Sequence, residues 1–588
     1  MDAQELKKWS RMRAELWAKP PFDEATQERV KHLLEADSDE LVESFYTDLE
    51  FGTGGLRGLM GPGTNRMNRY TLAQTTQGLA QYILNSGVSN PSVAIAYDSR
   101  NGSPEFARVA AEVLAGNGLH VHLYPALRPT PQLSFTVRNL GCTAGIVITA
   151  SHNPKEYNGY KVYWSDGGQI VPPHDAGIIA QVRGIQNMDS VRWATLEQCA
   201  THIHLLDERA DEAYLRTVLN LRLHPGLIAS GSDLPIVYTP LHGTGSASVI
   251  PALEKAGFRN IHIVESQREP DGNFPTVHSP NPEEGAALAE GIALARQIGA
   301  QLVMGTDPDS DRVGIAVPDA SSDGGFRLLN GNETGALLVD YVLEGRKASG
   351  QLNLETDFVA KTIVTSELMA ELGRAAGLQV HETLTGFKWI ADTIRREEGR
   401  GRFVVGGEES YGYMIGDAVR DKDAVAAACL LAELAHAAHE AGSDLLGQLE
   451  KIHRKNGAYK EALVSQTRHG RTGKEEIARQ MESFRLNPPA TMGGERVVEV
   501  RDFQRKTRTL LVDGTVSEME LPASNVIQFL TDKKSLVTAR PSGTEPKIKF
   551  YFSVHMPASE WSGILKYEIV MKKLDERIER LKSDLGVH

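Results

Sequence analysis

Five short stretches of the sequence bring together residue types able to do chemistry. In Thr149-Ala-Ser-His-Asn-Pro-Lys-Glu-Tyr-Asn-Gly-Tyr-Lys161 a serine stands beside a histidine and close to a lysine. Such a serine acts as a nucleophile when a neighbour takes its proton. It follows the apolar run Gly145-Ile-Val-Ile148, so Ser151 is expected on a loop at a strand end, where open α/β sheets bind ligands. A Ser/Asn-Pro turn is the plain alternative, and the GxSxG elbow of hydrolases is absent. In Gly305-Thr-Asp-Pro-Asp-Ser-Asp-Arg-Val-Gly314, Asp307, Asp309 and Asp311 recur at every second position after Leu302-Val-Met304. Alternate residues of an extended loop point the same way. Three carboxylates on one face repel unless a cation joins them, and hard oxygen ligands favour magnesium, with positions left open for phosphate oxygens. Pro318 stands where a calcium loop needs its bidentate Glu. The strand context and adjacent Arg312 favour a metal over a solvated turn.

Three further loops suit anions and hydroxyls. Arg540-Pro-Ser-Gly-Thr-Glu-Pro-Lys547 offers a guanidinium fork for phosphate. Ser542, Thr544 and the backbone N–H groups around Gly543 suit an anion nest, with Lys547 beyond; a hairpin turn is the alternative. Gly406-Gly-Glu-Glu-Ser-Tyr-Gly-Tyr413, with Thr385-Gly-Phe-Lys388 upstream, sets carboxylates and hydroxyls on a Gly-rich loop that suits sugar hydroxyls, although taken alone a surface turn is the better explanation. Phe51-Gly-Thr-Gly-Gly-Leu-Arg-Gly-Leu-Met-Gly61 puts Arg57 on a glycine loop able to approach an anion; a flexible turn fits the spacing as well. Its glycines do not match GxGxxG, and no GxxxxGK[ST] exists in the chain, which argues against a nucleotide P-loop.

The elements that must position these loops repeat. Val93–Tyr97, a helical segment ending near Gly116 and Gly118, and His120–Tyr124 form one unit. Pro235–Tyr238, a helix stopping at Gly257 and Ile261–Val264 form a second; Phe358–Ile363, a helix over Ser366–Ala376 stopping at Gly377 and Leu378–His381 form a third. Glycine just past a helix takes the left-handed conformation cheaply, and strands joined through a helix are usually parallel. Three similar mixed α/β domains are expected, over 48–205, 206–318 and 320–453. The tail alternates in Glu495–Arg501, Asn525–Leu530 and Lys547–Ser553, and Trp561–Leu585 has helical period, giving an α+β domain over 459–588. Residues 1–47 read as a helical extension, charged and helix-like rather than a signal peptide.

Composition narrows the class. A chain of 588 residues suggests about four domains. With 63 Lys plus Arg against 76 Asp plus Glu, the net charge of -13 argues against a general nucleic-acid or anionic-membrane surface, while leaving room for a local basic pocket. Cys142, Cys199 and Cys429 lie far apart with no CxxC, which speaks against a zinc ribbon or disulfide scaffold and suits a reducing, cytoplasmic setting. No apolar run reaches membrane-spanning length; Ala424–Ala432, ended by Glu433, reads as a buried helix.

With these motifs in this order, in four successive domains, the chain resembles the α-D-phosphohexomutase family, nearest its phosphoglucomutase/phosphopentomutase branch. The resemblance runs from about Phe51 to Phe550 and rests on TASHNP, GTDPDSDR, GEES and RPSGTEPK together. It implies an α/β fold of three similar domains plus a C-terminal α+β domain around a central active-site cleft. It implies a phosphoryl-bearing Ser151, with Ser151, Asp307, Asp309 and Asp311 holding Mg²⁺. Lys161 and Arg57 match acid/base or charge-stabilising positions, and His152 is a further candidate base. Glu408 and Ser410 match sugar-hydroxyl readers, and Arg540, Ser542, Gly543 and Thr544 match a clamp on the phosphate not being transferred. Lys388 resembles a substrate-contacting lysine; Arg312, Thr385, Gly386 and Lys547 are expected beside it on the substrate. The implied activity interconverts glucose 1-phosphate and glucose 6-phosphate through glucose 1,6-bisphosphate, by a monomer or homodimer. A pentose or mannose phosphate mutase, a non-catalytic sugar-phosphate sensor and a phosphatase are the alternatives. The intact serine, aspartates and loops weigh against a sensor, and the sugar loop and clamp weigh against a phosphatase.

Overall fold

The computed structural model describes residues 2–587 except 53, 186, 196, 198, 230, 323, 469 and 543–546, with side chains described at all of these but 3 and 470–472. The chain forms two compact units. One joins Met1–Leu329 with Ala391–Gly399 and Tyr411–Ala437; the other joins Asn330–Ile390, Arg400–Ser410 and Ala438–His588.

The first unit opens with three helices, Ala3–Trp17, Glu24–Ala36 and Asp39–Phe45. Asp2 starts the first with a capping box to Glu5, which satisfies otherwise orphaned N–H groups. Ala14, Trp17, Val30, Leu41 and Phe45 close on Tyr70, so the helical extension shares a small core with the helix Arg69–Asn85. A six-stranded sheet comes next, in the order Gly55–Leu59, Tyr157–Trp164, Ala144–Ile148, Ser92–Tyr97, His120–Leu123, Ile203–Leu205. A second sheet has the order Phe326–Leu329, Val313–Pro318, Leu302–Thr306, Ile236–Thr239, Ile261–Ile263.

All three strand–helix–strand repeats form parallel pairs, as the glycine stops and apolar runs predict. Gly257 (φ 106°) and Gly377 (φ 84°) are left-handed, which only glycine adopts without cost. The glycine stretch 51–61 differs from its reading as a loop: Gly55–Leu59 is an edge strand, antiparallel to Tyr157–Trp164. A Cβ on Gly55 would lie 1.8 Å from the Tyr160 carbonyl oxygen, so the glycines serve close strand approach there. Helix Ala424–Glu440 continues past Glu433. That buried carboxylate accepts from the N–H groups of Leu223 (2.9 Å) and His224 (3.0 Å).

In the second unit, Gln379–Thr383, Asp357–Thr362 and Arg402–Glu408 are parallel. The tail builds an antiparallel sheet from Ala458–Thr467, Lys547–Met556, Leu536–Pro541, Ile527–Thr531, Glu495–Asp502, Thr507–Leu510 and Val516–Glu518. Its core includes Phe529, Phe550, Phe552, Trp561 and Leu574. The expected helix over Trp561–Leu585 is interrupted: Ala558–Trp561 ends before a turn at Gly563 (φ 80°), and Tyr567–Leu585 comes after it. Among the described residues no helix is long and apolar enough to cross a membrane.

Candidate active site

Ser151 lies just past strand Ala144–Ile148, as its apolar run predicts. Its backbone is left-handed (φ 52°), which is uncommon for a residue with a Cβ and marks a sharp, held turn. The buried Arg100 holds it. Its guanidinium donates to the carbonyls of Ser151 (2.5 Å), Asn153, Pro154 (2.9 Å) and Tyr157 (3.1 Å). Asp98, also buried, faces Arg100 Nε at 3.3 Å and accepts from the Arg100 N–H (2.9 Å). Antiparallel pairing then brings two cations alongside. Gly55 pairs with Lys161 and Arg57 with Gly159. Arg57 donates to Asn153 Oδ1 at 3.1 Å.

The three aspartates converge in a different manner from the extended run expected. Residues 307–312 form the turn of a hairpin between Leu302–Thr306 and Val313–Pro318, with Ser310 left-handed (φ 49°). Asp307 Oδ1 accepts from the backbone N–H groups of Asp311 and Arg312, both at 3.1 Å. This curls the chain so that one carboxylate oxygen from each aspartate lies within 4.8 Å of the others. All three are buried. Ser151 Oγ donates to Asp307 Oδ2 at 2.7 Å and lies 3.1 Å from His152 Nδ1. Lys161 Nζ reaches Asp309 Oδ2 at 2.7 Å and Asp311 Oδ2 at 3.2 Å. Thr130 donates to Asp309 Oδ2 at 2.8 Å. Arg312 pairs with Glu283.

Lys422 completes the cluster: its Nζ lies 3.2 Å from Asp311 Oδ2 and 3.1 Å from Asp421 Oδ1. Neither Lys422 nor Arg100 stands out in the sequence. Their only local signals are Asp421-Lys-Asp423 and Asp98-Ser-Arg100, charged strings in which a carboxylate adjoins a cation.

The electrostatics fit a divalent cation. Burial and repulsion from Asp309 and Asp311 push the Asp307 carboxyl well above its usual range. Burial opposes the charge on Asp311 too, but Lys422, Lys161 and Arg312 hold it below that range. Asp309 Oδ1 and Asp311 Oδ1 are buried with no hydrogen-bond partner among the described residues. Lone carboxylate oxygens beside a repelled third carboxylate are donors of the hard type that magnesium takes. Burial, then Arg312 and Arg57, depress His152 well below the ordinary imidazole value, leaving it neutral at pH 7. Burial lowers Lys161, but Asp309 and Asp311 outweigh it and keep the ammonium charged.

The remaining expected residues lie in the second unit. Glu408, at the end of strand Arg402–Glu408, accepts from the Gly386 N–H at 2.7 Å, so the Thr385–Gly386 turn and GEES are joined. Gly386 is left-handed (φ 114°), and Thr385 Oγ1 is buried without a hydrogen-bond partner among the described residues. Lys388 Nζ sits 5.2 Å from the Trp389 ring centre, and Ser410 is half-buried. Glu409, absent from the expected set, accepts from Thr365 (3.1 Å) and Thr362 (3.4 Å). Burial and neighbouring Glu408 raise it to about 7. Arg540, next to the last residue of strand Leu536–Pro541, pairs with Lys549. The Ser542 N–H donates to the Lys547 carbonyl at 2.7 Å. Gly543 and Thr544 lie outside the described residues.

Comparison with known proteins finds three successive matches along the chain. Residues 48–189, 212–322 and 330–452 match the family models for phosphoglucomutase/phosphomannomutase alpha/beta/alpha domains I, II and III. A protein of Staphylococcus aureus (strain MRSA252) named phosphoglucomutase is 39% identical over 548 residues, 93% of this chain and 96% of that one. The crystal structure of a Thermus thermophilus protein aligns with TM-score 0.64 at 24% identity, covering 90% of this chain and 99% of that one. The open form of the Paramecium phosphoglucomutase pp63/parafusin aligns with TM-score 0.63 at 16% identity, covering 90% and 95%. Both structures share the fold.

Proposed function

We propose a function from one premise: the chain belongs to the α-D-phosphohexomutase family. It is an isomerase that moves a phosphoryl group between two oxygens of a phosphosugar. Its substrates are glucose 1-phosphate and glucose 6-phosphate, and glucose 1,6-bisphosphate is its intermediate. The supporting observation is the 2.7 Å approach of Ser151 Oγ to Asp307 inside a buried trio of carboxylates. Domain limits near 48–205, 206–318, 320–453 and 459–588 and a cytoplasmic setting belong to the same reading.

Asp307, Asp309, Asp311 and an oxygen of phosphorylated Ser151 would hold Mg²⁺, which supplies Lewis-acid neutralisation of phosphoryl charge. Phosphoryl transfer asks for alignment and charge neutralisation more than for covalent chemistry. A sugar hydroxyl oxygen bonds to phosphorus as the phosphorus–Oγ bond breaks and its electron pair stays on Ser151. The hydroxyl proton leaves to a base, and Oγ takes a proton. His152, neutral and 3.1 Å from Oγ, suits proton exchange there. Lys161 and Arg57 offset the charge of the transferring group. The bisphosphate then presents its other phosphate to Oγ, and the reverse transfer regenerates phosphoserine. Arg540, Ser542, Gly543, Thr544 and Lys547 therefore accept either phosphate. Glu408, Ser410, Thr385, Gly386, Lys388 and Arg312 serve the sugar and its phosphate in both orientations.

The test is a panel of hexose and pentose 1-phosphates with Mg²⁺ and a trace of bisphosphate, compared by kcat/KM. Glucose 1-phosphate is expected to lead; a pentose phosphate in first place would reassign the substrate. Ser151→Ala is expected to abolish turnover, retain sugar-phosphate binding, and lose the single added phosphate seen by intact mass after bisphosphate treatment. Near-normal turnover would remove Ser151 from the chemistry.

A further inference from the structure

Four histidines sit together at the far edge of the first sheet, away from the serine loop in strand order. The parallel strands His120–Leu123 and Ile203–Leu205 pair Val121 with Ile203 and His122 with His204. Successive side chains alternate faces, so His120 and His122 share one face of the first strand; His204 stands beside His122 on the second, and His202 lies in the turn just before that strand. Val121, Leu123 and Ile203 pack into the domain core on the opposite face. His204 is exposed and the other three histidines are partly buried.

The rings are close. His120 lies 5.2 Å from His202 and 5.4 Å from His204, centre to centre, and His122 lies 5.5 Å from His204. His120 Nδ1 and His204 Nε2 are 3.2 Å apart. Two imidazole nitrogens on one tetrahedral ion, with metal–nitrogen bonds of about 2.0–2.1 Å, stand about 3.3 Å apart. Thr201 Oγ1 lies 3.1 Å from His202 Nδ1, leaving Nε2 of that ring as its outward atom.

We propose that His120, His122, His202 and His204 form a site for a borderline divalent transition ion of the zinc, nickel or copper(II) type, separate from the aspartate trio. Imidazoles select such ions, whereas carboxylates select magnesium. His120 and His204 provide a pair already at coordination spacing, and rotation of a flanking ring supplies the third nitrogen. Only the aspartate trio has three ligand atoms preassembled among the described residues.

The test is a calorimetric zinc titration of the full-length protein in excess Mg²⁺, which occupies the carboxylates. One zinc per chain is expected. A His120→Gln/His204→Gln variant should bind it at least tenfold more weakly, with thermal melting and sugar-phosphate turnover in zinc-free buffer containing Mg²⁺ unchanged. Cobalt substitution should give a tetrahedral visible spectrum in the parent and lose it in the variant. Should that variant fail to fold, His122→Gln alone provides the same comparison. Equal zinc affinity in parent and variant, or no zinc bound by the parent in excess Mg²⁺, overturns the proposal and leaves His120 and His204 as a hydrogen-bonded pair.

Discussion

On the proposed function, the chemistry at Ser151 depends on a backbone that would otherwise relax. A left-handed residue with a Cβ costs about 1–3 kcal/mol, and it persists where the surroundings over-determine it. Arg100 provides that determination through four carbonyls of the serine loop. Lysine retains the charge and loses the planar fork. Arg100→Lys is therefore expected to lower kcat about 100-fold while leaving KM for the sugar phosphate within about threefold, since small misplacement of a reacting atom costs that much. A fall in melting temperature alone, with kcat intact, would make Arg100 a stabilising residue only. Asp309 has a second test. Its Oδ2 is satisfied by Lys161 and Thr130, and its Oδ1 has no hydrogen-bond partner among the described residues. Asp309→Asn should raise the Mg²⁺ concentration for half-maximal activity by about tenfold or more. An unchanged magnesium titration would place the ion elsewhere.

At the scale of elements, polar side chains tie secondary structure together where apolar pattern stops. Ser366 caps helix Glu367–Ala375 and donates to Glu461 Oε1, on strand Ala458–Thr467, at 2.5 Å. The Glu461 carboxylate is enclosed although the residue keeps some exposed surface, and burial raises it from 4.5 to about 7. A carboxyl raised on folding binds its proton more tightly in the folded state. It contributes stability fully below pH 4.5, and that contribution is lost as pH climbs through about 7. Glu461→Gln keeps an acceptor for Ser366 and removes the ionisation. The melting temperature of the variant should therefore exceed that of the parent progressively between pH 5.5 and 8, by about 1–3 °C at the upper end. A parallel pair of pH profiles would mean that Glu461 titrates normally.

For the molecule as a whole, a net charge of -13 repels a dianionic substrate at long range. On the proposed function, attraction therefore comes from short-range contacts with local cations such as Arg57, Lys161 and Arg312. Raising ionic strength from about 0.01 to 0.15 M shortens the screening length from about 30 to 8 Å, which removes the distant repulsion and leaves close contacts. At saturating Mg²⁺, kcat/KM for glucose 1-phosphate should stay level or rise over that range. A several-fold fall would reveal a cationic steering field instead.

The sequence by itself determined the local devices. Apolar runs with glycine stops placed the parallel strands and their helices, because those signals act within a dozen residues. Ser151, the aspartates and the GEES string were legible as motifs for the same reason: their chemistry is contiguous. Only the tertiary structure decided how the serine and the aspartates meet. Gly55–Leu59 reads as a loop until Tyr157–Trp164 pairs with it, since glycine hides strand alternation. The aspartates converge through a hairpin turn held by Asp307 and the N–H groups of residues 311 and 312, rather than by extended alternation. Arg100 and Lys422 reach the site from 51 residues before the serine and 111 after Asp311, respectively. Such contacts carry no periodic or local trace, because burial pairs charges by position in space and not by spacing along the chain.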